Sequence, residues 1–368
     1  MLFSRYVNNF HLNPMVKKIL VIRFRQIGDA ILSAALCSSL KRSFPDAEVH
    51  IILNSGIAPL FSPHPDIDKV IPFTPAENKN FFKYSRKIYD VLREEKYDVI
   101  VDLRSTTRTL LFSFLSLFTG HKPYRVGGKK WYSTLLQNSN IVSPAGGSII
   151  DRNQKYADAL SHLAPIAKVD DFKIHVSDGE LLAMKEKMIK GGVDFSAPVM
   201  LCGVTTKLLH KRWDMNYMRE TLSRIMSRYP HLQLVFNYAP GVEEADARKL
   251  YEELGSPSAV KWGVEARSLR ELAAMCANCN FYFGNEGGTR HLVQAVGVPS
   301  YAIFSPSASI QAWLPANSVP AYGIATRKTL SYKSPDYQNI FDEITPDVVC
   351  AELFPLLDTY CKHIVDNQ

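Results

Sequence analysis

Short apolar runs rich in β-branched residues alternate with helical stretches, and this alternation runs along the chain twice. In the first series, ILVIRF (19–24) reads as a buried strand and is followed by a helix over 29–43 that Pro45 halts. VHIIL (49–53) and DKVIPF (68–73) read as strands, an amphipathic helix covers 81–96, DVIVDL (98–103) is a further strand, and a helix over 107–118 ends at Gly120. A second series starts after Pro198. Its strands are 199–204, 232–238, 281–285 and 300–306, and its helices cover 215–230, the segment EEADARKLYEELG, 269–278 and 288–297. A last helix is capped by Thr345, with Pro346 at its first position. Continuous apolar strands separated by helices are the signature of parallel sheets covered on both faces. A helix near 152–163 and a looser stretch holding Gly191, Gly192 and Pro198 mark the junction. The pattern predicts an α/β fold of two domains, 15–170 and 171–345, with a terminal helix within 346–368.

Several classes are excluded. No apolar run approaches the ~18–20 residues that span a bilayer, and the longest, 110–118, holds two serines. The segment 1–14 lacks a basic start followed by an apolar core, so no secretory signal is evident. Translation starting at Met15, or an aromatic arm over 1–14 lying on a membrane, both fit. The six cysteines are scattered, as expected of a reducing cytoplasm. Cys276 and Cys279 form a CxxC with no second Cys/His pair, and read as small buried residues rather than a metal or redox site. Residues 1–170 hold 23 of the 43 Lys and Arg and 14 of the 36 Asp and Glu. They therefore carry +9, against −2 for the remainder, and would attract an anionic partner or membrane surface. No nucleic-acid reader motif accompanies that charge.

Three strand–helix turns carry candidate chemistry. The first, RQIGDAILSA (25–34), has a single glycine and not the GxGxxG of a dinucleotide site, which disfavours a dehydrogenase. Its Asp29, taken alone, reads as an N-cap or first-turn acid favoured by the helix dipole. The second, FGNEGGTRHLVQAVGVP (283–299), would aim the backbone N–H groups of Gly287, Gly288 and Thr289 outward at a helix start, as a phosphate cradle. Arg290 and His291 could add donors there. The third, GVTTKLLHKRWDM (203–215), offers two threonine hydroxyls with Lys207, His210, Lys211 and Arg212 to an anion. HKPYRVGGKKWY (121–132) interleaves Lys and Arg with aromatics, fitting a phosphorylated sugar or anionic headgroups, or simply a solvated loop.

These segments, in this order with DVIVDLRS and the Thr205-Thr206…Lys211-x-Trp213 pattern, resemble the ADP-heptose:lipopolysaccharide heptosyltransferases of glycosyltransferase family 9 from about Lys17 to the terminal helix. The resemblance implies the GT-B arrangement: two Rossmann-like domains with parallel sheets facing across a cleft, the donor nucleotide held mainly by the second. It places the family's general base on Asp29, its phosphate-contacting threonine and lysine on Thr206 and Lys211 beside Thr205, and a ribose-side acid on Glu244 or Glu243. The family's Asp-Thr-Gly-x-x-His becomes Glu286-Gly287-Gly288-Thr289-Arg290-His291 here, with a longer carboxylate and no hydroxyl at 287.

The expected reaction is an inverting glycosyl transfer with no cofactor and no metal ligands, since no Asp-x-Asp pair occupies a loop position. Asp29 would take the acceptor's proton, and Lys211, Thr206 and the amides of 287–288 would stabilise departing ADP. Arg104, Arg108, Lys122 and Arg125 would meet an anionic, lipid-linked oligosaccharide at the inner leaflet. Two alternatives stand beside this reading: a GT-B enzyme using another nucleotide sugar, and a transferase-like protein that binds glycolipid or nucleotide without turnover.

Overall fold

The computed structural model describes residues 15–144 and 146–362. The questions of a Met1 or Met15 start and of an arm over 1–14 lie outside the described residues, as does the expected helix beyond 362.

The first sheet is built from β1 (Lys18–Ile22), β2 (Glu48–Asn54), β3 (Lys69–Phe73), β4 (Val99–Asp102), β5 (Tyr124–Gly128) and β6 (Ser139–Ile141). Its order is β3-β2-β1-β4-β5-β6, and all its pairings are parallel. The second sheet holds β7 (Val199–Gly203), β8 (Gln233–Phe236), β9 (Phe281–Asn285), β10 (Ser300–Phe304) and β11 (Ala321–Ala325) in the order β11-β10-β9-β7-β8, again all parallel. Each order reverses once, at β1/β4 and at β9/β7. At such a point the connecting loops diverge and leave a crevice beyond the strand C-termini.

β1 is solvent-free from Ile19 to Ile22, which explains why its sequence is continuous rather than alternating. The helix Ile27–Ser43 is buried from Ala30 to Leu40 because it is covered on several sides. It packs against both the helix Ile149–Asp158 and the helix Gly288–Ala295 of the second half. One apolar core therefore runs through it, from Ile19 and Val101 in the first sheet to Val199 and Leu201 in the second.

The terminal helix Pro346–Tyr360 lies on the helix Met215–Arg228, where Leu353 and Leu357 join Leu222 and Ile225 in a separate core. Thr345 caps it by accepting from the Val348 N–H, with Pro346 in the first turn as expected.

The structure departs from the sequence reading most clearly at these elements. The basic stretch 121–132 is not a loop: it contains β5, whose Val126, Gly127 and Gly128 are buried. β6 and β11 were not anticipated, being three and five residues long and largely half-buried. The looser junction contains the helix Asp178–Lys190, closed at its start by a Ser177/Glu180 capping box.

Candidate functional site

Asp29 stands in the first turn of Ile27–Ser43, beyond the C-terminal end of β1. Its Oδ1 accepts from Arg23 Nη2, while Arg23 also donates to the Asp29 and Leu103 carbonyls, each at 3.3 Å. Arg23 leaves β1 almost fully buried, so its charge is matched by the Asp29 carboxylate. Arg104 lies half-buried after β4, and its pKa is pushed down by burial and then by the neighbouring Arg25 and Arg23 guanidiniums. Two non-glycine residues here sit in the left-handed region, Arg25 at φ 108° and Ser105 at φ 43°. Such strain persists where the surroundings over-determine it, and it concentrates at functional sites. Ser105 is pinned by three contacts. Its Oγ donates to the Asp102 carbonyl at 3.1 Å and accepts from Gly128 N at 2.6 Å, and its N–H bonds Asp102 Oδ1 at 2.9 Å.

The facing wall rises from β7, β8 and β9. Lys211 Nζ meets Glu286 Oε2 at 2.9 Å, and Glu286 itself is buried. Thr205 Oγ1 donates to Glu243 Oε2 at 3.1 Å, Thr206 Oγ1 to the Leu208 carbonyl at 2.7 Å, and Asn237 Nδ2 to Thr289 Oγ1 at 3.0 Å. Trp213 is locked by its N–H on Asn285 Oδ1 and its indole N–H on the Ile344 carbonyl, both at 2.8 Å, which fixes the loop carrying Lys211. Gly287 precedes the helix Gly288–Ala295, whose first turn holds no acid.

The two walls touch. A Cβ on Gly28 would lie 2.5 Å from His291 Cδ2, and one on Gly288 would lie 3.2 Å from Ile27 Cβ. The first turns of the Asp29 helix and of the Gly288 helix are thus apposed, and only glycine permits the approach at position 28. Two helix N-termini facing one another make a region of positive field suited to a phosphorylated ligand.

A family model described as Glycosyltransferase family 9 (heptosyltransferase) matches residues 85–334. The chain belongs to glycosyltransferase family 9. Its sequence is 24% identical over 301 residues to lipopolysaccharide heptosyltransferase 1 of Campylobacter coli, covering 79% of this chain and 85% of that relative. Its fold is similar to the family 9 glycosyl transferase of Veillonella parvula, with a TM-score of 0.79 and 17% identity over 93% of this chain and 98% of the other. The E. coli heptosyltransferase WaaC with ADP-2-deoxy-2-fluoro heptose aligns with a TM-score of 0.68 and 14% identity, covering 92% and 99%. The two-sheet architecture is the expected GT-B fold.

In this family 9 chain the expected donor-side residues Thr205, Thr206, Lys211, Glu286, Gly287, Gly288 and Thr289 lie around the C-terminal ends of β7 and β9. Glu243, not Glu244, is the acid that bonds Thr205; Glu244 instead helps burial and Glu265 push the Tyr238 phenol up to about 12. The side chains of Arg290 and His291, expected to add donors here, both turn inward. Arg290 is fully buried and donates to Gln294 Oε1, the Trp313 carbonyl and His291 Nδ1. Burial, then the nearby Arg290 and Lys211 charges, push the His291 pKa well below the usual range, so the ring is neutral and packs against Gly28.

Of the four residues expected on the acceptor side, Arg104 lies within electrostatic reach of Asp29, and the other three make contacts elsewhere or lie at another edge. Arg108 donates to the Asn78 carbonyl and covers the Tyr84 ring at 4.3 Å. Lys122 precedes β5, at the sheet edge opposite Asp29. The Arg125 guanidinium is spent on the Leu136 and Pro123 carbonyls, at 2.8 and 3.3 Å.

Sequence reasoning missed Arg23 as the partner of Asp29, having read it only as a strand residue. It also missed Asp102, a fully buried carboxylate that holds the Arg104 N–H at 2.9 Å and whose pKa burial raises. An acid closing an apolar strand was the available signal. Cys276 and Cys279 are buried free thiols, as expected, and burial pushes Cys279 up to about 12. Among the described residues, Glu48, His50 and Glu95 have metal-ligand spacing, but they lie at the opposite sheet edge and their carboxylates are already paired with Lys18 and Lys69.

Proposed function

We propose that the chain is an inverting transferase moving a heptose, or a closely related sugar, from its ADP donor to an anionic lipid-linked core oligosaccharide of lipopolysaccharide. The observation that carries this reading is the apposition of the first turn that holds Asp29 with the helix start at Gly288, in a second half that also carries the Lys211–Glu286 pair. The activity for which its relatives are named, and the ADP-heptose analogue bound to the E. coli protein, support the donor class. We assign donor binding to 171–345 and acceptor binding to 15–170.

In the mechanism we infer, the acceptor hydroxyl attacks the anomeric carbon from the face opposite ADP. Asp29 takes the hydroxyl proton, a role worth typically 10²–10⁴-fold. The C–O bond to the diphosphate breaks, and its electron pair leaves with ADP. Lys211, the hydroxyl of Thr206 and the 287–288 amides meet that growing charge. Glu286 holds Lys211 in place, and the Arg23 pairing fixes the orientation of the Asp29 carboxylate. Because Lys211 and the helix N-terminus supply the positive charge, we infer that the transfer runs without a metal ion. A basic acceptor half supports a place at the cytoplasmic face of the inner membrane; among the described residues no helix is long and apolar enough to cross one.

A second reading rests on the Glu286-Gly287 pair, which changes the sugar-side contacts and fits a different nucleotide sugar on the same scaffold. Calorimetry with ADP, UDP, GDP and ADP-heptose decides between them. Selective binding of ADP and ADP-heptose is expected, while preference for another nucleotide overturns the donor assignment. Asp29→Asn should keep ADP binding and lose on the order of 10²–10⁴-fold in transfer. Unchanged product formation removes Asp29 as the base.

A further inference from the structure

The loops that follow β3, β4 and β5 form one rim at the sheet edge that also carries Asp29. Arg108, after β4, donates to the Asn78 carbonyl after β3, and the Tyr132 hydroxyl, after β5, donates to the Ser105 carbonyl at 3.2 Å. Apolar side chains stand in water along this rim. Phe82 is 82% exposed, Trp131 93% and Leu135 98%, with Phe81 also open. Phe81 and Phe82 meet edge to face at 6.0 Å, as do Trp131 and Tyr132 at 5.4 Å.

Large exposed aromatics grouped in this way are uncommon on a monomer and mark an interaction surface. The same two segments, NKNFFK (78–83) and KKWYSTLL (129–136), hold four lysines and no acid. Lys79, Lys83, Lys129 and Lys130 are all exposed, and among the described residues none is held in an ion pair. The nearby acid Glu77 is already committed to Lys87 and to the Thr74 cap. Aromatic side chains at headgroup depth ringed by lysines are what an anionic lipid surface binds: the rings suit the interfacial region, and each lysine strengthens binding on the order of fivefold.

We propose that this rim seats the first half of the molecule on an anionic lipid surface, with Phe81, Phe82, Trp131 and Leu135 entering the interfacial layer and the four lysines meeting lipid phosphates. The inference rests on the reading that the acceptor is lipid-linked, and it adds where the lipid lies: beside the edge that carries Asp29 and Arg104. A glycolipid could then be presented to the base without leaving its leaflet.

The test is co-sedimentation of the full chain with phosphatidylcholine vesicles that contain or lack phosphatidylglycerol. Melting temperature, oligomeric state and ADP binding are recorded in parallel. Binding to the anionic vesicles alone is expected. Trp131→Ser/Leu135→Ser and Lys129→Glu/Lys130→Glu should each weaken it at least about tenfold, with melting and ADP binding unchanged, because these side chains touch little of the fold. Tryptophan emission should move to shorter wavelength on anionic vesicles, and Trp131→Phe should abolish that shift. The proposal is overturned if neither double variant weakens sedimentation. It is also overturned if only the lysine pair matters, which would mark a site for free phosphate groups, or if the aromatic pair changes the oligomeric state without lipid, which would mark a contact with a second copy. Vesicle binding without ADP binding supports this surface and removes the transferase reading; ADP binding without vesicle binding does the reverse.

Discussion

Replacing Gly28 by alanine tests whether the touching helix ends matter to catalysis. The added Cβ would sit 2.5 Å from His291 Cδ2 and 3.1 Å from Nε2. Carbon atoms pack at about 3.5–4.0 Å, so the overlap is about 1 Å. The imidazole has little freedom to yield: its Nδ1 takes an Arg290 N–H, and its ring lies edge-on to Trp313 at 5.8 Å. The two first turns must therefore part, or the core absorbs about 1–3 kcal/mol of overpacking. If that cost falls on the arrangement that brings Asp29 to the donor, kcat/KM for sugar transfer drops roughly 5- to 150-fold. ADP affinity, which depends on the second half, should stay near the parental value. Steady-state transfer assays with calorimetric ADP titration measure both. A double-mutant cycle with His291→Ala adds a specific expectation, since removing the ring should relieve the alanine and give a favourable coupling of about 1 kcal/mol or more. Parental transfer and melting temperature in Gly28→Ala would refute the reasoning.

Two further predictions concern charge. Lys211→Met should weaken ADP binding about 10- to 150-fold, the worth of a charge-assisted hydrogen bond, and should lower the melting temperature by leaving buried Glu286 unpaired. Adding Glu286→Gln should restore melting but not ADP affinity, and ADP affinity equal to the parent's in Lys211→Met would count against the phosphate role. The second concerns His64, whose pKa burial lowers from 6.5 to about 4. A depressed histidine is neutral in the fold and protonated when unfolded, so its contribution is complete above pH 6.5 and is lost as pH falls towards 4, a swing of up to about 3 kcal/mol. Urea unfolding at pH 7 and pH 4.5 should show a smaller difference for His64→Gln than for the parent, and equal differences would exclude His64 as the source.

The alternation of apolar strands and helices was legible because buried parallel strands carry a run of residues such as Ile19–Ile22 that no surface segment would tolerate. β5 escaped because Tyr124–Gly128 reads YRVGG, two glycines and an arginine in place of such a run, and neighbouring strands supply its burial. The helix Asp178–Lys190 did announce itself, through serine followed three residues later by glutamate, a signal outweighed by the glycines after it. The glycine turns and Lys211 could be singled out because the pattern suited to a phosphate is local in sequence. Arg23 could not, and Glu243 could be named only by resemblance and only beside Glu244, because their partners are brought by the fold: for Arg23 a carboxylate six residues away across a turn, and for Glu243 a threonine 38 residues back. The same holds for His291, which has the composition of a ligand contact and is instead packed against Gly28.

The apposed helix ends have a further consequence for how the molecule is held together. Each first turn carries a positive partial charge, and only one of the two has an acid of its own, Asp29. On the donor assignment proposed above, the diphosphate lies at the Gly288 end, and its negative charge would neutralise the end that has no acid of its own. A nucleotide at a hundred times its dissociation constant adds about 2.7 kcal/mol to the folded state. On that assignment the gain falls on the second half beside the seam, and spent ADP would resist leaving by the same force that drew the donor in.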